Sequence, residues 1–237
     1  MTGVLYIVAT PIGNLKDITL RALEILKSVD LILCEDTRHS GLLLHHYGIK
    51  NALLSYQEFN EQQRIPEIIS KLKNGQNLAL ITDAGTPTLS DPGFKLVREV
   101  LRQGSQVVSI PGPSAILTAL SSSGLPTDKF SFLGYLPKKQ SKRLTLFKNC
   151  ALSPIPYTLI FFEAPHRLLE SLQDMQEVFG DIHIVICREL TKLHEEIRRE
   201  RISENITHFE EVTPKGELTI LFHFGTRKKN YLRTEVG

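Results

Sequence analysis

A chain of 237 residues with a formal charge of +2 is long enough for one or two well-buried domains and too weakly basic to demand a nucleic-acid partner on charge alone. With 41% hydrophobic and 23% charged residues it reads as globular; no apolar run nears the ~20 residues of a membrane span, and no basic-then-apolar leader opens it. Three scattered cysteines, Cys34, Cys150 and Cys187, have no zinc spacing and read as free thiols of a reducing compartment, so a soluble cytoplasmic protein without a metal is expected.

Residues 5–9 are a compact β-rich run, the first strand, and Thr10-Pro-Ile-Gly-Asn14 follows as a loop. Asp17 is the expected cap of a helix in which Ile18, Ala22, Ile25 and Val29 recur at helical spacing. Residues 31–34 are a second strand ending in the charged cluster Glu35-Asp-Thr-Arg38. A helix to about Tyr47 and a short strand over 52–55 come next. The stripe Ile65, Ile68, Ile69 and Leu72 then marks a helix that Pro66 is expected to delay or kink.

The short apolar run 78–81 reads as a buried strand, and 94–103 as an amphipathic helix stopped by Gly104. Asp91 suits its N-cap and Pro92 its first position. The loop between them is long for an α/β unit, which favours a ligand loop. In it Asp83 stands where the strand ends, Gly85 lets backbone approach a ligand, and Pro87 stiffens the turn. After a fifth strand, 107–110, the run Pro111-Gly-Pro-Ser-Ala115 has Ser114 capping a short helix over 115–120, and Pro/Gly clusters on both sides suggest a domain connection near 112–126. Five alternations of strand and helix argue for a mostly parallel sheet over 1–115. Strands at 130–133, 159–162, 182–187 and 218–224, with helices at 138–148 and 167–178, give a second α/β domain over 125–226. Residues 195–201 and 206–209 are ambiguous, 195–199 being a possible edge strand, and 227–237 form a basic tail.

Three groups of residues carry candidate chemistry. The loops 10–14, 83–87 and 111–115 all leave strands of the first domain and mix Gly and Pro with small hydroxyl residues, which suits main-chain contacts to a flat, polar small molecule. No phosphate loop, dinucleotide loop or metalloprotease motif is present. Polar strand ends form the second group: Glu35, Asp36 and Arg38; Glu163, His166 and Arg167; Arg188, Glu189 and Lys192. Singly each reads as a solvated ion pair, but three together exceed what a surface needs. Pro165 at a helix start would aim first-turn N–H groups at an anion beside Arg167. The third group is basic: Lys138, Lys139, Lys142 and Arg143 after Phe130, Phe132 and Tyr135, then Arg198, Arg199 and Arg201, and Arg227, Lys228 and Lys229. Such residues near aromatics fit RNA phosphates and splayed bases, or a solvated face over core aromatics.

The runs Leu5-Tyr-Ile-Val-Ala-Thr-Pro-Ile-Gly-Asn-Leu15, Cys34-Glu-Asp-Thr-Arg38, Thr82-Asp-Ala-Gly-Thr-Pro87 with Ser90-Asp-Pro-Gly93, Ile110-Pro-Gly-Pro-Ser-Ala115, Phe162-Glu-Ala-Pro-His-Arg167 and Arg188-Glu-Leu-Thr-Lys192 closely resemble the bacterial ribosomal RNA small subunit methyltransferase I family of the tetrapyrrole-methylase superfamily. The match runs from residue 4 to about 224, in order. It implies two α/β domains with the cofactor cleft between them, a homodimer, and methyl transfer from S-adenosyl-L-methionine to the ribose 2′-hydroxyl of a cytidine in the decoding region of 16S ribosomal RNA. By motif, Thr10, Pro11, Gly13, Asp83, Ala84, Gly85, Thr86, Pro87, Pro113, Ser114 and Ala115 would line the cofactor site, with Lys215, Gly216 and Glu217 closing it. Glu35, Asp36, Glu163 and Lys192 are candidates for the base that takes the hydroxyl proton. Arg38, Lys138, Lys139, Arg167 and Arg188 are candidates for contacts to RNA. Family members often continue with a further C-terminal segment, where this chain has its basic tail. A methyltransferase acting on a tetrapyrrole and a non-catalytic RNA-binding factor are the competing readings.

Overall fold

The computed structural model describes residues 2–152 and 156–224, so the basic tail and the Arg227, Lys228 and Lys229 group lie outside the described residues. The chain divides into two compact units, Met1–Ser114 and Ala115–Gly237. Among the described residues no helix is long and apolar enough to cross a membrane.

The first unit alternates β1 (Val4–Val8), α1 (Leu20–Ser28), β2 (Leu31–Cys34), α2 (Thr37–His46), β3 (Leu53–Ser55), α3 (Glu61–Lys73), β4 (Leu78–Leu80), α4 (Phe94–Arg102) and β5 (Gln106–Ile110). Its five strands are all parallel in the order β3-β2-β4-β1-β5. Side chains alternate across the pleat. Leu5, Leu33, Leu78 and Leu80 therefore meet Ile68, Leu72, Leu96 and Val100 of α3 and α4 on one face. Val8, Ile32, Ala79 and Ile81 meet Ala22, Leu26 and Leu44 of α1 and α2 on the other. The inner strands β2 and β4 are apolar along their whole length because both of their faces are covered, while the edge strands β3 and β5 carry Ser55, Gln106 and Ser109. Parallel strands put the turns after β1, β2, β4 and β5 at a single edge, where open α/β sheets take their ligands.

Local chemistry departs from the sequence reading at three places. Asp17 does not cap α1: it ends a 3₁₀ turn over Leu15–Asp17, and Thr19 is the cap, accepting the Ala22 N–H at 3.1 Å. Pro66 does not delay α3, which opens five residues earlier at Glu61. Asp91 does not cap α4: the cap position is Gly93, at φ 129°, with no side-chain hydrogen bond. A Cβ on Gly93 would fall 2.6 Å from Leu80 Cδ2, so close packing onto β4 as well as φ demands glycine there.

The second unit holds α5 (Ala115–Ser123), β6 (Phe130–Tyr135), α6 (Gln140–Ala151), β7 (Tyr157–Glu163), α7 (Leu168–Phe179), β8 (His183–Arg188), β9 (Glu196–Arg201), α8 (Ile202–Glu211) and β10 (Leu218–Phe224). The sheet order is β6-β7-β10-β8-β9, with β6 parallel to β7 and the other pairs antiparallel. Phe147, Leu168, Leu172, Met175 and Phe209 of α6, α7 and α8 close over Leu159, Phe161, Ile184, Ile220 and Phe222 of the sheet. Residues 195–201 resolve into the edge strand β9, and 206–209 into α8. Helix α5 runs to Ser123, longer than expected, and packs on β10.

Candidate active site

At the edge of the first sheet three loops are sewn to one another by backbone. Thr10 N–H donates to Gly85 O at 2.9 Å and Gly85 N–H to Thr10 O at 3.1 Å, a two-way bridge between the turns after β1 and β4. The buried Thr10 hydroxyl adds a bond to Thr82 O at 3.0 Å, and Thr86 Oγ1 donates to Pro113 O at 3.1 Å, tying in the turn after β5. Gly112 completes the join, since a Cβ there would sit 3.0 Å from Ala9 Cβ. Thr10, Gly85, Thr86 and Pro113 are thus brought together. Pro11 and Pro87 are buried beside them, and Gly13, Ala84, Asp83 and Ser114 are partly or fully exposed around them. Ala115 opens α5.

Residues 85–93 hold an unusual backbone. Thr88 and Ser90 lie at φ 76° and 67°, with Gly85 and Gly93 also left-handed. For β-branched Thr88 that conformation is a true outlier. Strain of this kind persists only where surrounding structure enforces it, and it clusters at functional sites. Here it holds Asp91 back from the helix end, on the side of Thr82.

Four carboxylates result from this arrangement, and their states differ. Asp36 caps α2 through the Arg38 N–H at 2.8 Å and binds the Arg38 guanidinium at 2.9 Å. That side-chain bond, with the backbone bond behind it, holds the exposed Asp36 at about 2. Glu35 accepts the Thr82 hydroxyl on Oε2 at 3.1 Å, while Asp83 Oδ1 takes the Asp36 N–H at 3.4 Å. Asp91 is pushed up to about 6, first by burial and then by the charges of Glu35 and Asp83, against the opposing Thr82 hydrogen bond. Among the described residues no cation pairs with Glu35, Asp83 or Asp91. None of their clusters has the make-up of a metal site either. The place of Asp91 in the loop is what sequence reasoning missed. The available signal was Gly93: glycine is a poor choice inside a first helical turn, so the helix had to begin after it and leave Asp91 in the loop.

In the second unit the expected polar residues are largely engaged with one another. Glu163 is buried; its Oε2 accepts Ser171 Oγ at 2.6 Å and its Oε1 accepts Ala164 N–H at 2.9 Å, with Arg167 Nε 3.4 Å away. Arg167 also donates to Leu136 O at 2.7 Å. Pro165 opens a 3₁₀ turn and α7 starts at Leu168, so the anion-directed helix start expected at Pro165 is not what forms. His166 is exposed. Lys192 Nζ lies 2.9 Å from Glu189 Oε1 and 3.1 Å from Glu217 Oε2. Burial alone would lower the Lys192 ammonium, but these two acids outweigh it and raise it. Glu189 (φ 51°) and Thr191 (φ 65°) are the strained residues of this loop. Gly216, at φ 86°, is required beneath it: a Cβ would lie 2.3 Å from the Glu189 carboxylate.

Of the basic residues, Arg143 departs most from expectation: it is 1% exposed and donates to Asp174 Oδ2 at 2.5 Å, joining α6 to α7 inside the unit. Arg188 pairs with Glu196, Arg198 with Glu200, and Arg201 with Asp181, while Arg199 donates to the Ser122 and Ser123 carbonyls. Those arginines secure an edge strand. Lys138, Lys139 and Lys142 are exposed and follow the half-exposed aromatics Phe130 and Tyr135.

Comparison with known proteins gives the family. Residues 4–205 match the family model described as Tetrapyrrole (Corrin/Porphyrin) Methylases. Relatives named ribosomal RNA small subunit methyltransferase I are 49% identical in Thermotoga maritima, over 92% of this chain and 97% of theirs, and 49% identical in Escherichia coli O157:H7, over 92% and 77%. One from Mesorhizobium japonicum is 52% identical over 91% and 74%. Two solved structures share the fold. One is a uroporphyrin-III-C-methyltransferase from Thermus thermophilus (TM-score 0.64, 22% identity, 92% and 94% covered). The other is a diphthine synthase (TM-score 0.70, 13% identity, 93% and 90% covered). The chain belongs to the ribosomal RNA small subunit methyltransferase I family, within the tetrapyrrole methylases.

Proposed function

We propose that this protein transfers a methyl group from S-adenosyl-L-methionine to the ribose 2′-hydroxyl of a cytidine in the decoding region of 16S ribosomal RNA. The observation that carries the reading is the set of relatives so named at 49–52% identity over more than 90% of the chain. It favours RNA over a tetrapyrrole as the acceptor.

The first unit's loops fit the donor. Gly85 and Gly112 let the three loops close on one another, and beside them Glu35, Asp83 and Asp91 have no pairing cation among the described residues. A molecule that combines ribose hydroxyls, an ammonium and a sulfonium suits such a surface. Thr10, Pro11, Gly13, residues 83–87, Pro113, Ser114 and Ala115 would hold it. Bound there, S-adenosyl-L-methionine supplies an electrophilic methyl carbon.

The chain's own contribution is to orient the sugar and take its proton. Of the four acid–base candidates, three are ill suited by their surroundings. Asp36 is a weak base held by Arg38, and Glu163 has both oxygens engaged in a buried network. Lys192 is held as a cation by Glu189 and Glu217. Glu35 carries a single hydroxyl hydrogen bond and is half-exposed, so it is our base. Exposed Arg38, Lys138 and Lys139 meet RNA phosphates, while Arg167 and Arg188 act as posts that hold strand ends in place. With this reading go the homodimer that the family resemblance implies and the cytoplasmic location expected from the composition.

The test is methyl transfer from labelled cofactor to small ribosomal subunits, with ribose methylation mapped along the RNA and a porphyrinogen as the competing acceptor. Glu35→Gln should lower the single-turnover rate by roughly 10²–10⁴ while cofactor affinity by calorimetry holds. Label on the porphyrinogen and none on the RNA would refute the reading.

A further inference from the structure

One aromatic side chain of the first unit stands clear of its cores. Phe59 is 84% exposed, against 63% for Phe94 and 57% for Tyr135. Arg98 lies over Phe94 and Phe162 packs on Tyr135, whereas among the described residues no ring or cation meets Phe59. Single exposed apolar side chains are ordinary, but this one is held out by a rigid mount. Phe59 is the third residue of a β-turn, Gln57 to Asn60. Asn60 N–H donates to Gln57 O at 3.1 Å and Gln57 N–H to Asn60 Oδ1 at 2.8 Å, so the turn is closed twice. Both flanks are anchored. Before it, the buried Tyr56 donates its hydroxyl to Glu61 Oε1 at 2.7 Å and its N–H to Cys34 O at 2.8 Å. After it, the buried Glu61 opens α3 and binds Lys95 at 2.9 Å. A ring mounted in this way does not fold back onto apolar surface.

The mount is tied to the residue that takes the ribose proton. Gln57 Nε2 donates to Glu35 O at 2.7 Å, and Ser55 of β3 pairs with Cys34 of β2, so the turn and Glu35 leave one sheet edge side by side. That edge is acidic: Asp83 Oδ1 accepts the Asp36 N–H at 3.4 Å, and exposed Glu58 adjoins Phe59. Phosphate is repelled there, so what a nucleotide can offer is the uncharged face of its base, which aromatic rings hold by stacking. Base and 2′-hydroxyl sit on adjacent carbons of the ribose. A nucleotide whose hydroxyl meets Glu35 therefore carries its base into the neighbourhood of the turn. We propose that Phe59 stacks on the cytosine of the target nucleotide and so holds its 2′-hydroxyl at Glu35. The proposal rests on RNA being the acceptor and on Glu35 being the base. Phe59 takes part in no bond change; it orients the sugar, and orientation sets much of the rate of an in-line methyl transfer.

Small ribosomal subunits and labelled cofactor supply the test. Phe59→Leu keeps an apolar side chain but loses the π-face, and its kcat/KM should fall about 5- to 150-fold, the loss expected for one base–aromatic stack. Phe59→Tyr and Phe59→Trp keep the stack and should stay within about threefold of wild type. Cofactor affinity by calorimetry and the thermal midpoint should be unchanged in all three, because the ring belongs to no core. Phe59→p-benzoylphenylalanine, irradiated on small subunits, should crosslink to the methylated cytidine, mapped by reverse-transcription stops. Full activity in Phe59→Leu overturns the stack. So does a loss in Phe59→Tyr and Phe59→Trp as large as that in Phe59→Leu, or a crosslink to a protein chain or to RNA remote from the methylated site. A fully active Glu35→Gln, or label on a porphyrinogen and none on RNA, refutes the base or the acceptor instead, which keeps the failures apart.

Discussion

Arg143 and Asp174, 1% and 2% exposed, form an ion pair in a place where either charge alone would be intolerable. Removing one partner of such a pair typically costs about 3–5 kcal/mol, because the other is left buried and uncompensated. Asp174→Ala should lose about that much in urea denaturation, and replacing both residues by Leu and Met should recover most of it. Asp91 makes a different, pH-dependent contribution. Its carboxyl is raised from 3.8 to about 6, so the folded state binds a proton more tightly than the unfolded chain does. Stability from this group is therefore fullest at acid pH and is lost as pH climbs through about 6. The difference in urea midpoint between wild type and Asp91→Asn should move in favour of the variant across that window and stay level above it.

At the scale of elements, caps and turns decide where helices begin and which loops are rigid. Thr19 caps α1 while Asp17 sits in the preceding 3₁₀ turn. Thr19→Ala should cost about 1 kcal/mol and Asp17→Ala under about 0.5 in thermal unfolding. A reversed order would return the cap to Asp17. Gly48 and Gly216 share a left-handed backbone, at φ 64° and 86°. An alanine Cβ at Gly48 meets nothing within 4 Å, whereas at Gly216 it meets the Glu189 carboxylate that Lys192 and the Glu217 N–H hold in place. Gly48→Ala should cost about 1 kcal/mol of backbone strain. Gly216→Ala should cost more, and should also release Lys192, readable as a downward shift of its ammonium titration.

For the molecule as a whole, a formal charge of +2 conceals an uneven distribution of cations. The arginines of β9 and the buried Arg143 are engaged within the second unit, while Lys138 and Lys139 stay exposed. Electrostatic RNA affinity should therefore depend on the lysines. Replacing both by Ala should reduce the slope of log K against log salt by about 1.4–1.8, since each phosphate contact contributes about 0.7–0.9. Arg199→Ala should leave that slope unchanged and weaken the fold.

Periodicity and motif order determined much of this protein. Apolar runs such as 31–34 and 78–81 announced buried parallel strands, because a strand covered on both faces has to be apolar throughout. Gly and Pro at strand ends located the loops 10–14, 83–87 and 111–115. Only tertiary structure decided how polar residues were partnered. Arg143 looks like any surface cation until Asp174 is placed 31 residues away at 2.5 Å. Glu35 and Glu163 are indistinguishable until one is left nearly free and the other is enclosed by Ser171 and Arg167. Asp91 has the side chain and the following proline of a cap, but α4 starts after Gly93, which packs on Leu80, and the strained loop leaves Asp91 outside the helix. Hydrophobic pattern is a property of neighbours in the chain and can be read there. The state of a charge depends on what folding brings beside it, across tens of residues.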